Sequence, residues 1–197
     1  MSNAEQLHCT AFAGMRRIAA GDLVQVALKA KAALDADPQA TVLIFNDATS
    51  ETVEVDFRGT SEDMLRRLAP TLGQADLPPE RRGPGRPKLG VIAREVTLLP
   101  RHWEWLNRQP GGASVALRKL VEEAKRSNGG KDAIRRAQES ALRFMSLMAG
   151  NLPGFEDATR ALFAGQRERF DQLMAGWPAD VRSHALELAQ ASFQVTA

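Results

Sequence analysis

Leu7-His-Cys-Thr-Ala-Phe-Ala-Gly-Met-Arg-Arg-Ile18 is two short runs, Leu-His-Cys-Thr-Ala-Phe and Met-Arg-Arg-Ile, meeting at Ala13-Gly14. That pattern predicts a β-hairpin whose turn Gly14 supplies. Downstream, Asp22 precedes Leu23, Val24, Val26, Ala27, Ala30 and Leu34, a helical stripe closed by Asp37-Pro38. Thr41-Val-Leu-Ile-Phe and Glu51-Thr-Val-Glu-Val-Asp-Phe follow, joined by Asn46-Asp-Ala-Thr-Ser. Val53, Val55 and Phe57 alternate with Glu54 and Asp56, so one face is expected buried and one wet, as in a second hairpin. Thr60 or Ser61 then caps a short helix carrying Met64, Leu65 and Leu68, which Pro70 is expected to end. The order ββαββα predicts a small α+β domain over residues 5–72.

Residues 73–90 change character, with four of the ten prolines and four glycines. They are expected to form an extended linker arm. Beyond it Val91–Leu99 reads as a strand, Arg101–Gln109 as a short helix, Pro110-Gly-Gly as a break, and Ser114–Arg126 as a second helix ended by Asn128-Gly-Gly. From Lys131 onward the pattern is helical, interrupted at Gly150-Asn-Leu-Pro, Gly165 and Gly176-Trp-Pro. Three or four amphipathic helices are expected over 131–195. Phe155, Leu162, Phe163, Phe170, Leu173, Met174 and Trp177 are large enough together to build a compact helical bundle.

Composition narrows the function. With 44% hydrophobic and 25% charged residues over 197 positions, the chain fits one or two modest globular domains. No apolar run approaches the length of a membrane helix, and the first residues lack the order of a signal peptide, so a cytoplasmic protein without membrane contact is expected. The single Cys9 forms no intrachain disulfide. With only His8, His102 and His184 beside it, no zinc-type spacing appears, and neither metal nor cofactor is expected. Cys9 reads as a buried strand residue and not a nucleophile. Asp180, His184 and Glu187 are ordinary neighbours on one helix face, so no constellation points to an enzyme.

Charge is unevenly placed. Residues 1–78 carry seven Lys/Arg against eleven Asp/Glu, residues 79–130 eleven against five, and residues 131–197 eight against eight. A basic middle beside an acidic N-terminal region points to an anionic partner, nucleic acid being the commonest, with a solvated basic loop as the alternative.

Arg94-Glu-Val-Thr-Leu-Leu-Pro, a helix, and then Gly-Gly-Ala-Ser-Val-Ala-Leu-Arg-Lys-Leu-Val-Glu-Glu-Ala resemble a ribbon-helix-helix DNA-binding module spanning residues 91–127. Ser114 with Leu117, Leu120, Val121 and Ala124 matches that family's second helix. The resemblance implies a homodimer whose paired strands enter the major groove, with Arg94 and Thr97 as ribbon contacts and Ser114 capping the helix that holds a backbone phosphate. The strand has two possible phases, since both Leu98 and Leu99 favour burial, and neither presents two or three polar base readers. Trp103 and Trp105 are bulkier than that family's usual residues and suggest a larger core against the C-terminal helices.

Just upstream, Arg81-Arg-Gly-Pro-Gly-Arg-Pro-Lys resembles an AT-hook. Prolines keep such an arm extended, glycine allows close approach, and Arg86 and Lys88, with Arg82 behind, meet the negative potential of a narrow A·T minor groove. From Cys9-Thr-Ala-Phe through Gly85-Arg-Pro-Lys-Leu-Gly-Val and Leu98-Leu-Pro-Arg-His-Trp-Glu-Trp-Leu to Ala175-Gly-Trp-Pro-Ala-Asp-Val-Arg, the chain is similar over nearly its full length to the bacterial domain-of-unknown-function family 2239. That resemblance implies bacterial origin and no particular activity. The expectation is a dimeric DNA-binding regulator, with a non-enzymatic assembly module, in which the ribbon serves only dimerisation, as the alternative.

Overall fold

The computed structural model describes residues 7–72 and 94–193. The protein is α+β and divides into two compact units, residues 1–76 with 131–197, and residues 77–130. The expected linker arm at 73–90 lies outside the described residues.

The first hairpin forms as the sequence predicts. Strands β1 (His8–Ala13) and β2 (Arg16–Asp22) pair antiparallel around Gly14, whose φ of 56° belongs to the left-handed region that glycine enters without penalty. Asp22 caps helix α1 (Leu23–Ala36), its carboxylate accepting from the Gln25 amide at 3.0 Å. Strand β3 (Val42–Asn46) then pairs antiparallel with β1, giving the sheet order β2-β1-β3. Being central, β1 is buried on both faces from Cys9 to Phe12. Alternation sorts its residues: Cys9 and Ala11, with Ile44 of β3, pack on Leu23, Val26, Ala27 and Ala30 of α1, whereas Phe12 and Phe45 face the C-terminal helices.

The expected second hairpin is only begun. The Val53 amide donates to the Ile44 carbonyl at 2.8 Å and Phe45 bridges Thr52, but residues 53–57 form no ladder. One of their carbonyls, that of Asp56, accepts from a side chain instead. Arg67, from helix α2 (Ser61–Leu72), donates to the carbonyls of Asp56 and Arg58, and the Asp56 carboxylate grips Arg58 at 2.7 Å and Arg67 at 3.1 Å. The alternating pattern still holds, because Val53, Val55 and Phe57 pack on the core shared with Met64 and Leu68. Thr60 and Asp63 cap α2 reciprocally: the Asp63 amide donates to the Thr60 hydroxyl, and the Thr60 amide to the Asp63 carboxylate. Contrary to expectation, α2 continues past Pro70 to Leu72. So near the helix end, the missing N–H of proline removes only one ladder bond.

In the second unit, helix α3 (Pro100–Asn107) has proline in its first turn, where no N–H is required, and Gly111 and Gly112 turn the chain at φ of 85° and 73°. The strand expected at 91–99 is absent from its described part: residues 94–99 are irregular and almost wholly exposed. A strand exists only with a partner to pair with. Nor does Asn128-Gly-Gly end the next helix. Helix α4 runs unbroken from Gly112 to Ala149, thirty-eight residues, its first half in the second unit and its second half in the first.

After Gly150 come α5 (Phe155–Phe163), α6 (Arg167–Leu173) and α7 (Ala179–Ala189), with a 3₁₀ turn at Gln190–Phe193, broken where the sequence predicts. Gly154, at φ 81°, opens α5, and a Cβ there would stand 3.0 Å from the Leu173 carbonyl. The sequence separates 5–72 from 131–195, yet the two share one core. Phe12, Phe45 and Phe144 of α4 meet edge-on or tilted at centroid separations of 5.1 to 6.1 Å. Ion pairing adds to the junction: Arg17 of β2 holds Glu187 of α7 at 2.9 Å, and its amide donates to Asp180 at 2.9 Å. No helix among the described residues is long and apolar enough to cross a membrane.

Candidate functional site

Two regions carry exposed chemistry, one in each unit. In the second, Leu106 of α3 and Ala116 of α4 are buried. Beside them the surface is apolar. Leu98, His102, Trp105, Leu106, Leu117 and Leu120 line a groove of about 310 Å³. Trp105 is 52% exposed, Leu120 49% and Val121 55%, as are Val96 at 52% and Leu99 at 50%. Trp105 therefore does not anchor the larger core expected of it. Leu117, Leu120, Val121 and Ala124 follow helical spacing, and every residue from Arg118 to Gly130 is exposed, so most of this stripe is left uncovered by the described residues.

The expected contact residues stand apart from one another. Arg94 and Thr97 are exposed in the irregular 94–99 segment. Ser114 is exposed in the first turn of α4, two residues inside the helix start at Gly112 and so not at its cap, and its carbonyl accepts from the Arg118 guanidinium at 3.1 Å. The glycine turn starts the helix earlier than a serine cap would. No hydrogen bond joins Arg94, Thr97 and Ser114, and Arg82, Arg86 and Lys88 lie outside the described residues. Residues 94–130 hold seven Lys/Arg against four Asp/Glu, and Lys125 and Arg126 are engaged by Glu122 and Glu123 at 3.9 and 3.0 Å.

In the first unit a cleft of about 630 Å³ opens between the sheet, α4 and α7. Thr10 of β1, 2% exposed, donates its hydroxyl to the Asp47 carboxylate at 2.7 Å, so a residue of the central strand positions an acid on the loop after β3. Glu187 takes the Arg17 guanidinium through both oxygens, at 2.9 and 3.2 Å, and lies 3.4 Å from Nδ1 of His184. His184 is 3% exposed, its ring 4.7 Å from that of Phe144 and 5.5 Å from that of Phe12, and its Nε2 is buried without a hydrogen-bond partner. Burial pushes this imidazole below its ordinary 6.5, against the opposing pull of Glu187 and Asp47.

Ser140, on the same wall, is paired with the buried Ser50 hydroxyl at 2.8 Å. Arg136 of α4 is exposed, and among the described residues no carboxylate lies within ion-pairing distance of it. Of these residues the helix spacing 180, 184, 187 was visible in the sequence. Thr10, Arg17, Asp47 and Arg136 had no signal there, since they come from four separate elements. No group of three or more His, Cys, Asp or Glu among the described residues is placed to hold a metal.

No curated protein and no solved structure matches the chain. The model of one family, described as an uncharacterized protein conserved in bacteria, matches residues 8–189 of the 197, taking in the central strand, both cleft acids and the helical stripe of α4. The chain therefore belongs to the DUF2239 family.

Proposed function

We propose that the protein is a homodimeric DNA-binding regulator whose second unit supplies both the dimer contact and the DNA contact. One observation carries this reading: the stripe of Leu117, Leu120, Val121 and Ala124 and the exposed Val96 and Leu99 belong to one segment–helix–turn–helix element and are left largely uncovered by the described residues. Two copies pairing residues 94–99 as a ribbon would give those residues backbone partners and bury the stripe. Arg94 and Thr97 would then face the groove, the amides at the start of α4 near Ser114 a phosphate, and Arg82, Arg86 and Lys88 an adjacent A·T minor groove.

A second reading, an assembly module in which the same face only dimerises, is favoured by the pairing of Lys125 and Arg126 with Glu122 and Glu123, which spends two of the cations nearest the stripe. Fluorescence anisotropy with A·T-rich and G·C-rich duplexes at about 50 and 200 mM salt separates the two, that being the range over which phosphate contacts show themselves. DNA binding that prefers A·T, weakens steeply with salt and is lost in Arg86→Ala/Lys88→Ala supports regulation. A protein that dimerises by sedimentation but binds neither duplex at low salt is an assembly module.

A further inference from the structure

We propose that the cleft between β1, α4 and α7 is a binding site for an amino acid with an uncharged side chain, whose ammonium group is met by Asp47 and whose carboxylate is met by Arg136. This stands apart from the DNA reading and uses only residues of the first unit.

The argument is a charge inventory of one cavity. Four ionised side chains line it: Arg17, Asp47, Arg136 and Glu187. Arg17 and Glu187 satisfy each other, and Glu187 also accepts from Ser183 at 3.4 Å and lies by His184. Asp47 and Arg136 are left. Asp47 receives one hydroxyl from Thr10 and no cation among the described residues, so a carboxylate has been positioned and not neutralised. Arg136 likewise keeps its guanidinium free of any acid among the described residues, and the two do not pair with each other although they line the same cleft. An unspent anion and an unspent cation, separated within one pocket, match a molecule that carries both charges itself.

The rest of the lining sets the size and polarity of that molecule. Ala20, Ala48, Ala133, Ala137, Leu188 and Ala191 give apolar surface, beside Thr49 and Ser140, and add no further charge. The lining charges cancel, which disfavours a net anion or cation and leaves an uncharged side chain for the alanine surface. A cleft of about 630 Å³ is in the range of small-molecule sites and roomy enough for the larger neutral amino acids.

Calorimetric titration of the full chain with neutral L-amino acids from alanine to phenylalanine, each beside its α-amide and its N-acetyl derivative, tests the proposal. The expected result is saturable binding of one or more of them, weakened about tenfold or more by Arg136→Gln, by Asp47→Asn, by amidation and by acetylation. Arg136 is exposed, and an asparagine at 47 keeps an oxygen for the Thr10 hydroxyl, so both variants should melt as the parent does. Absence of heat with every amino acid, amides or acetylated forms that bind as well as their parents, or undiminished affinity in both variants would each overturn it.

Discussion

His184 shows at the level of one residue how burial sets behaviour. Its imidazole is held below 6.5 by desolvation among Phe12 and Phe144, while Glu187 and Asp47 pull it up and Arg17 pushes it down. A proton is therefore bound more readily by the unfolded chain than by the folded one. Stability from this group is complete above the unfolded value and is lost as pH falls below it, until the folded imidazole also protonates. Denaturation midpoints measured from about pH 7 to about pH 5 should fall, and His184→Leu should flatten that slope. The carboxylates belong to a lower window: Asp56, held down by its hydrogen bonds and charge contact with Arg58, and Asp63, held down by Thr60, give up their contribution only below about 3.8. Cys9 behaves in the opposite sense. Burial first, and Asp47 second, push its thiol up to about 11, so thiol reagents should label it at neutral pH only in denaturant. A strand cysteine was legible as buried. The partners that set His184 were not, because Phe12, Asp47 and Phe144 lie far from it along the chain.

At the level of elements, α4 is the informative case. Asn128, Gly129 and Gly130 are poor helix formers, and glycine costs about 1 kcal/mol relative to alanine in a helix interior. The helix nonetheless runs through them, because good formers precede them and a packed stripe of Ala137, Ala141, Phe144, Met145 and Met148 follows, and extending an existing helix is cheaper than starting another. The pairs Glu122–Lys125 and Glu123–Arg126 add support one turn upstream. Gly129 is exposed, with open space where a Cβ would stand, so Gly129→Ala should stabilise this stretch by about 0.5–1 kcal/mol, read as slower amide exchange over residues 121–136. Residues 53–57 make the complementary point. Their alternation announced which side chains would turn to the core, yet the backbone forms no ladder, and the Asp56 carbonyl accepts from Arg67.

At the level of the whole molecule, the sheet at one end of the chain and the helices at the other stand or fall together. Phe144 is fully buried against both Phe12 and Phe45, and Phe144→Ala should cost about 3–5 kcal/mol. Far-ultraviolet circular dichroism and near-ultraviolet signals should still lose structure in one transition, because α1 covers only one face of the sheet and the other, with Phe12 and Phe45, is covered by the C-terminal helices. Two independent transitions for residues 7–72 and 131–193 would contradict the shared core.

Local matters were legible in the amino-acid order: the Gly14 hairpin, a helix opening after Asp22, a cap at Thr60 or Ser61, the breaks at Gly150, Gly165 and Gly176, and the α+β class. Those depend on backbone freedom, side-chain caps and periodicity, all of which act between neighbours. Long-range packing, by contrast, sets which strand becomes central, that Phe12 meets Phe144, and that Thr10, Arg17, Asp47 and Arg136 share a cleft. Those outcomes depend on contacts between residues tens to more than a hundred positions apart, and local preference carries no record of which distant partner a buried face will find.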